Sequence, residues 1–212
     1  MGELLRFNKS QKYILIDFET ESLNLQYGLN KPWQCSYLVC KGGDIVLESD
    51  NYIKWPSLNI SEDARRITRF DDAKYARLAK DPLPILDELE KYIYDSEYII
   101  LWHNGLNFDA YVHNIYRQLM NKKPDFSYLD RVVDSNCLAK AIEKNIKLGK
   151  DEDRTCWMYR LNDFREKGLK TSLISQLKKY KIEFDENLLH NGAYDIRMNW
   201  ELFKKQIWQI EI

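Results

Sequence analysis

The stretch Tyr13-Ile14-Leu15-Ile16-Asp17-Phe18-Glu19-Thr20 decides the fold. A short apolar run bounded by polar residues reads as a buried strand. Two acids, Asp17 and Glu19, interrupt its end. In a strand, residues i and i+2 point to one face, so the two carboxylates converge. Side by side at the end of a buried strand they are costly, unless a cation neutralises them or the strand frays into water.

Working outward, Gln34 to Cys40 and Asp44 to Glu48 are further strand candidates, and Lys41-Gly42-Gly43 between them is a hairpin signal. The first three strands therefore read as an antiparallel meander. A helical patch near Ser61–Arg69 opens with Ser61 and Glu62. From Pro82 to Tyr94, the residues Ile85, Leu86, Leu89, Tyr92 and Ile93 recur at helical spacing, with Pro82 suited to a helix start. Tyr98 to Trp102 is a second continuous apolar strand. Phe108, Tyr111, Val112, Ile115, Tyr116 and Leu119 then outline an amphipathic helix. Val132-Val133-Asp134 reads as a short strand, followed by a helix from Ser135 to Ile142 and helices over 171–180 and 193–208. Strands alternating with helices after a meander predict an α/β layer fold with a mixed sheet.

Length and composition suit one domain over 1–212, built as a water-soluble chain, with 44% hydrophobic and 31% charged residues. Residues 143–170, dense in charge of both signs, look like an insertion. No apolar run has signal-peptide or membrane-spanning length, and the cysteines (Cys35, Cys40, Cys137, Cys156) show no zinc-ligand spacing. The expectation is a cytoplasmic protein with reduced thiols and no membrane association, a monomer or homodimer. The net charge of −1 advertises no polyanion partner. If the chain handles nucleic acid, it does so at a local site where bound metal supplies positive charge.

Two more constellations carry chemistry. His103-Asn104-Gly105-Leu106-Asn107-Phe108-Asp109 sits at a strand-to-helix junction, where active-site groups of open α/β sheets gather. Asp109 falls in the first helical turn, where an acid also complements the helix dipole. We expect it on the face away from Phe108 and Tyr111. In His190-Asn191-Gly192-Ala193-Tyr194-Asp195, the Asn-Gly pair is a turn signal, leaving His190 on a loop and Asp195 in the first turn of the last helix.

Together these residues resemble the DEDDh 3′→5′ exonucleases, a superfamily that includes polymerase proofreading exonucleases, oligoribonuclease and RNase T-like enzymes. Ile16-Asp17-Phe18-Glu19-Thr20 through Leu23 resembles the first motif, His103-Asn104-x-x-Asn107-Phe108-Asp109 the second, and His190-x-x-x-x-Asp195 the third. A sister branch has tyrosine four residues before the last aspartate. That position is Asn191 here, so the histidine branch is the better match. The chain departs from the family at Glu21-Ser22, and at Thr68-Arg69-Phe70, where many members have His-Gly-Ile.

The resemblance implies a ribonuclease H-like five-stranded mixed sheet flanked by helices. It also implies two divalent cations, Mg²⁺ or Mn²⁺, held by Asp17, Glu19, Asp109 and Asp195. Asp17 would bridge both ions, Glu19 and Asp195 would complete the nucleophile-side site, Asp109 would support the second ion, and His190 would be general base. Thr20, Leu23, Asn104 and Phe108 are the implied substrate contacts, with Leu23 a wedge between bases. The implied reaction removes nucleoside 5′-monophosphates from single-stranded 3′ ends, DNA favoured over RNA. The alternatives are a 3′→5′ exoribonuclease and a non-catalytic nucleic-acid-binding module. The stretch 143–170, with Arg154, Arg160, Trp157 and Tyr159, reads either as a strand-guiding surface or as a helical excursion with its aromatics packed inward.

Overall fold

The strand β1, Lys12–Thr20, lies at the centre of the sheet because it is apolar on both faces. The computed structural model describes residues 4–25 and 30–212. Strands β2 (Pro32–Lys41) and β3 (Asp44–Tyr52) complete the expected meander, and β4 (Tyr98–Trp102) and β5 (Val132–Asp134) extend the sheet on the other side in the order β3-β2-β1-β4-β5. The β2–β3 turn uses Gly42 at φ +61° and Gly43 at φ +98°, backbone that side chains disfavour. β1 runs antiparallel to β2 and parallel to β4, which is parallel to β5. The sheet is the mixed five-stranded one expected, with strands β2 and β3 longer than their apolar patterns suggested.

Parallel β1, β4 and β5 all end on one edge, where ligand crevices of open α/β sheets form. That edge carries Glu19, His103 and Asp134. Eight α-helices are described around the sheet: α1 (Glu62–Thr68), α2 (Asp72–Leu78), α3 (Pro82–Ile93), α4 (Asp109–Leu119), α5 (Ser135–Lys144), α6 (Arg154–Asp163), α7 (Leu173–Lys179) and α8 (Gly192–Gln206). Ser61 caps α1, accepting from Ala64 N, and Asp81 caps α3 ahead of Pro82, as their sequences suggest. No helix among the described residues is long and apolar enough to cross a membrane. The four cysteines are free.

The charged stretch 143–170 contributes to the core. Trp157, Met158 and Leu161 of α6 are buried in the main cluster. Arg160 is paired with Glu152 at 2.7 Å, and Arg154 donates to the Asp130 carbonyl at 2.9 Å. Arg154 also lines a surface recess with Lys12 and Tyr98, which start β1 and β4, at the opposite edge from Glu19. These contacts fit the inward-packed reading of the stretch.

Candidate active site

β1 delivers the first two carboxylates. Phe18 turns into the core while Asp17 and Glu19 face a cleft, as the strand alternation requires. The Phe18 N–H donates to Asp109 Oδ1 at 3.0 Å, tying the start of α4 to β1. Asp109 is buried and Tyr111 is 48% exposed, which reverses the expected facing of this helix. The helix turns Asp109, Val112, His113 and Tyr116 inward, and Tyr111 sits at the rim against Phe126.

The fourth carboxylate arrives on α8. Asn191 is the N-cap of this helix, accepting from Tyr194 N, and Gly192 is its first residue; the pair therefore starts a helix and makes no separate turn. Gly192 is there for clearance. A Cβ at that position would lie 2.7 Å from Ser36 Oγ and 3.0 Å from Asp17 Oδ2. The close approach brings Asp195 towards Asp17. Its Oδ2 accepts the His190 N–H at 3.1 Å, and its Oδ1 is buried with no hydrogen-bond partner. His190 itself is on an exposed loop at φ +62°.

The four acids perturb one another. Burial pushes Asp17 up to about 6. Burial and the Asp17 charge push Asp195 up to about 8. Burial, then repulsion from Asp17, Asp195 and Asp109, raises Glu19 well above the carboxylate range. Burial and Asp17 do the same to Asp109, against a weaker pull from its bond to Phe18. Among the described residues no lysine or arginine answers any of these four charges. His190 is held below its ordinary value by burial and then by Arg69, so it is neutral near pH 7.

Leu23, Asn104, Asn107, Phe108 and His190 line the same cleft as Asp17, Glu19, Asp109 and Asp195, in a space of about 680 Å³. Leu23 stands 81% exposed over it. Thr20 is placed elsewhere. It is buried, and its hydroxyl is engaged by the Ser22 carbonyl at 2.6 Å and by Asn30.

Three supporting residues escaped the sequence reading. Fully buried Asp134 accepts the backbone N–H of Asn104 (2.9 Å) and Leu106 (3.3 Å), as well as Asn136 and Cys137 at the start of α5. It thereby sets the loop that leads to Asp109. Asn107 and Asn162 exchange amide hydrogen bonds at 2.7 and 2.8 Å, and Lys140 caps the end of α6 beside them. An aspartate between a strand and a helix is an N-cap signal, so Asp134 could have been found.

Among the described residues no three His, Cys, Asp or Glu side chains already close around one point. The grouping of the acids rests on a shared cleft and mutual repulsion. The donor set nevertheless fits a hard divalent cation: all oxygen, crowded, uncompensated by protein cations, with Asp195 Oδ1 left unpartnered.

Neither a family model nor a curated protein matches the sequence. Solved structures do match, and they show the fold. The fold is that of E. coli exonuclease I. The zinc-ion-bound form of its single-stranded DNA complex superposes with a TM-score of 0.70 at 14% identity over 92% of this chain and 40% of that one. The dT13 oligonucleotide complex gives 0.69 at 15% identity over the same shares, and the apo form 0.68 at 14% over 92% and 41%. The chain thus spans about 40% of the length of the exonuclease I chains it matches.

Proposed function

We propose that this chain is a metal-dependent 3′→5′ exonuclease acting on single-stranded DNA and releasing nucleoside 5′-monophosphates. The observation that carries this reading is the cleft itself. Four mutually repelling carboxylates from β1, α4 and α8 gather beside a neutral histidine on a loop, with no protein cation among the described residues to balance them.

Asp17, Glu19, Asp109 and Asp195 would hold two Mg²⁺ or Mn²⁺ ions. Bound there, the ions would activate the attacking water and offset charge on the leaving oxygen. The protein's own work is positioning and proton transfer. The bond from Phe18 N fixes Asp109 against β1, and Gly192 lets Asp195 approach Asp17. His190, neutral near pH 7 and exposed to the cleft, accepts a proton from the attacking water. Exposed Leu23 and half-buried Phe108 offer apolar faces to the terminal bases, where stacking tolerates any sequence. The free, mostly buried thiols suit a cytoplasmic setting.

The test uses 5′-labelled single strands of DNA and RNA of equal sequence, with Mg²⁺, Mn²⁺ or EDTA, beside Asp17→Ala. A metal-dependent ladder shortening from the 3′ end, faster on DNA and absent in the variant, is the expected result. No cleavage of either polymer with either metal would overturn the assignment.

A further inference from the structure

On the other side of the loop that carries His190 lies a second cavity of about 560 Å³. Leu189 and His190 line both spaces, so one loop walls the cleft on one side and this groove on the other. The floor is a cluster of rings, Trp33, Tyr52 and Phe70, with Trp33 and Phe70 edge to face at 4.9 Å. Exposed Leu188 and half-buried Tyr194 form the apolar flank next to the loop.

The rim is basic. Arg197 is committed to Glu48, held through Nε at 2.8 Å. Asp71 is committed as well, capping α2 through Lys74 N at 2.8 Å. Arg69 and Lys74 are different. Arg69 donates to the Asn187 carbonyl, and the Lys74 ammonium stands 5.2 Å from the centre of the Tyr52 ring. Among the described residues neither forms an ion pair with a carboxylate, although Asp50 and Asp71 lie near enough to Lys74 to favour its charge.

Arg69 is also held at φ +55°, as the left-handed C-cap of α1. Glycine or asparagine serves such a position without steric cost. The arginine there points a cation at the loop bearing His190, in the corner where Thr68-Arg69-Phe70 departs from the pattern of the family the sequence resembles. An apolar flank at Leu188 and Tyr194 beside two cations free of ion pairs on the rim is a combination that suits single strands, bases against the flank and phosphates against the rim.

We propose that this groove seats the single-stranded DNA lying on the 5′ side of the scissile bond. Arg69 and Lys74 contact its phosphates, and Leu188 and Tyr194 its bases. The inference rests on the exonuclease reading of the adjoining cleft, whose wall it shares.

Lys74→Glu is the informative variant, since Lys74 lies on α2 and belongs to none of the cleft machinery. Fluorescence anisotropy would compare a thymidylate dodecamer with a trimer in Mg²⁺, with Asp17→Asn present in every protein so that the strand persists. Lys74→Glu should weaken dodecamer binding by about tenfold and lower the salt slope of log Kd by about 0.7 per lost phosphate contact, with trimer binding within about twofold. Dodecamer affinity within about twofold of the parent, or equal loss for both lengths, would overturn the proposal. Hydrolysis of the p-nitrophenyl ester of thymidine 5′-monophosphate separates this from the catalytic reading, because the ester is too short to reach the groove. An ester-cleaving protein whose Lys74→Glu variant binds both lengths normally keeps its nuclease assignment and loses the groove. A protein that cleaves no ester yet discriminates the two lengths through Lys74 keeps the groove and loses the nuclease assignment.

Discussion

Without metal, the carboxylate cluster should make the folded protein less stable as pH rises, and Asp17→Asn should remove much of that loss. Asp17 holds its proton up to about pH 6 in the fold, against an ordinary value of 3.8. Between those values the folded state binds more protons than the unfolded one, so the free energy of unfolding falls as pH rises. At about 1.4 kcal/mol per pH unit, the difference for Asp17 amounts to about 3 kcal/mol. Asp195, pushed up to about 8, repels the same charge, so the two losses overlap and do not add. For a domain of this size, about 3 kcal/mol corresponds to a shift of about 6–12 °C in Tm. The assay is thermal unfolding of wild type and Asp17→Asn in EDTA from pH 4 to 8, repeated with Mg²⁺. The two proteins should melt together near pH 4, and the variant should melt higher by pH 8. Mg²⁺ should raise wild type at pH 8 and leave the variant nearly unmoved, since a ligand of the folded state stabilises it by mass action. Buried His103 and His113, whose pKa values are held down, act on both proteins and cancel in the difference. Parallel melting curves across the whole range would refute the reasoning, because they would mean the acids are solvated and the cleft is not built for cations.

Glu90 offers the opposite sign. Burial opposes its ionisation, but the nearby His113 ring and hydrogen bonds from Lys122 and Arg117 prevail and hold it down to about 2, so its stabilisation is full above about pH 4.5 and fades as pH falls towards 2. Glu90→Gln should therefore cost about 3 kcal/mol at pH 7 by urea unfolding and little at pH 2; a pH-independent cost would contradict the linkage. Gly192→Ala should cut nuclease activity at least about tenfold and cost about 1–3 kcal/mol, because the added methyl meets Ser36 and Asp17; full activity would disprove the close approach. His190→Ala should lower the rate by about 10²–10⁴-fold while preserving the Mg²⁺-induced rise in Tm, and loss of that rise would make His190 a structural residue of the cation site. Trp157→Ala should cost about 3–5 kcal/mol in chemical denaturation, which a solvated excursion would not.

The strands β1 and β4 were legible because continuous apolar runs between polar residues have few other uses, and the meander because Gly42-Gly43 marks its turn. Helix α3 was legible from its period and its Pro82 start, and α8 in its extent, although the Asn191-Gly192 pair that starts it read as a turn. The facing of α4 was not. Periodicity counts Tyr111 as apolar and Asp109 as polar, but a β1 amide draws the carboxylate inward and the ring is left at the rim. α6 was legible only as one of two readings of the stretch 143–170, and without bounds, for a related reason. Trp157, Met158 and Leu161 are its core contacts, and the charges around them dilute the pattern. Of the candidate site, the acids and His190 were legible as types at a spacing. Asp134 was legible only as the N-cap of α5, and Asn162 not at all, because the bonds that tie them to the site run to residues far away in sequence.

Glu90 and Asp17 show two ways of burying an acid in one chain. Glu90 sits among Arg117, Lys122 and His113, and ionises more readily than in water. Asp109 and Asp195 accept backbone N–H groups, from Phe18 and His190, and with Asp17 and Glu19 they ionise less readily, with no ion pair to any of the four among the described residues. The chain carries 32 lysines and arginines against 33 acids, so cations were not scarce. Their exclusion from the cleft leaves up to four negative charges to be offset from outside. Buried charge without a partner costs several kcal/mol, which a domain of ordinary stability cannot absorb for structure alone. Protons can offset it at low pH and divalent cations near neutrality. Only the second leaves oxygen ligands, a phosphate-attracting field and a neutral His190 together at the pH where the histidine can take a proton. On the proposed exonuclease reading, the same withholding of lysine and arginine is what lets a chain of net charge −1 draw a polyanion to this cleft once divalent cations are bound.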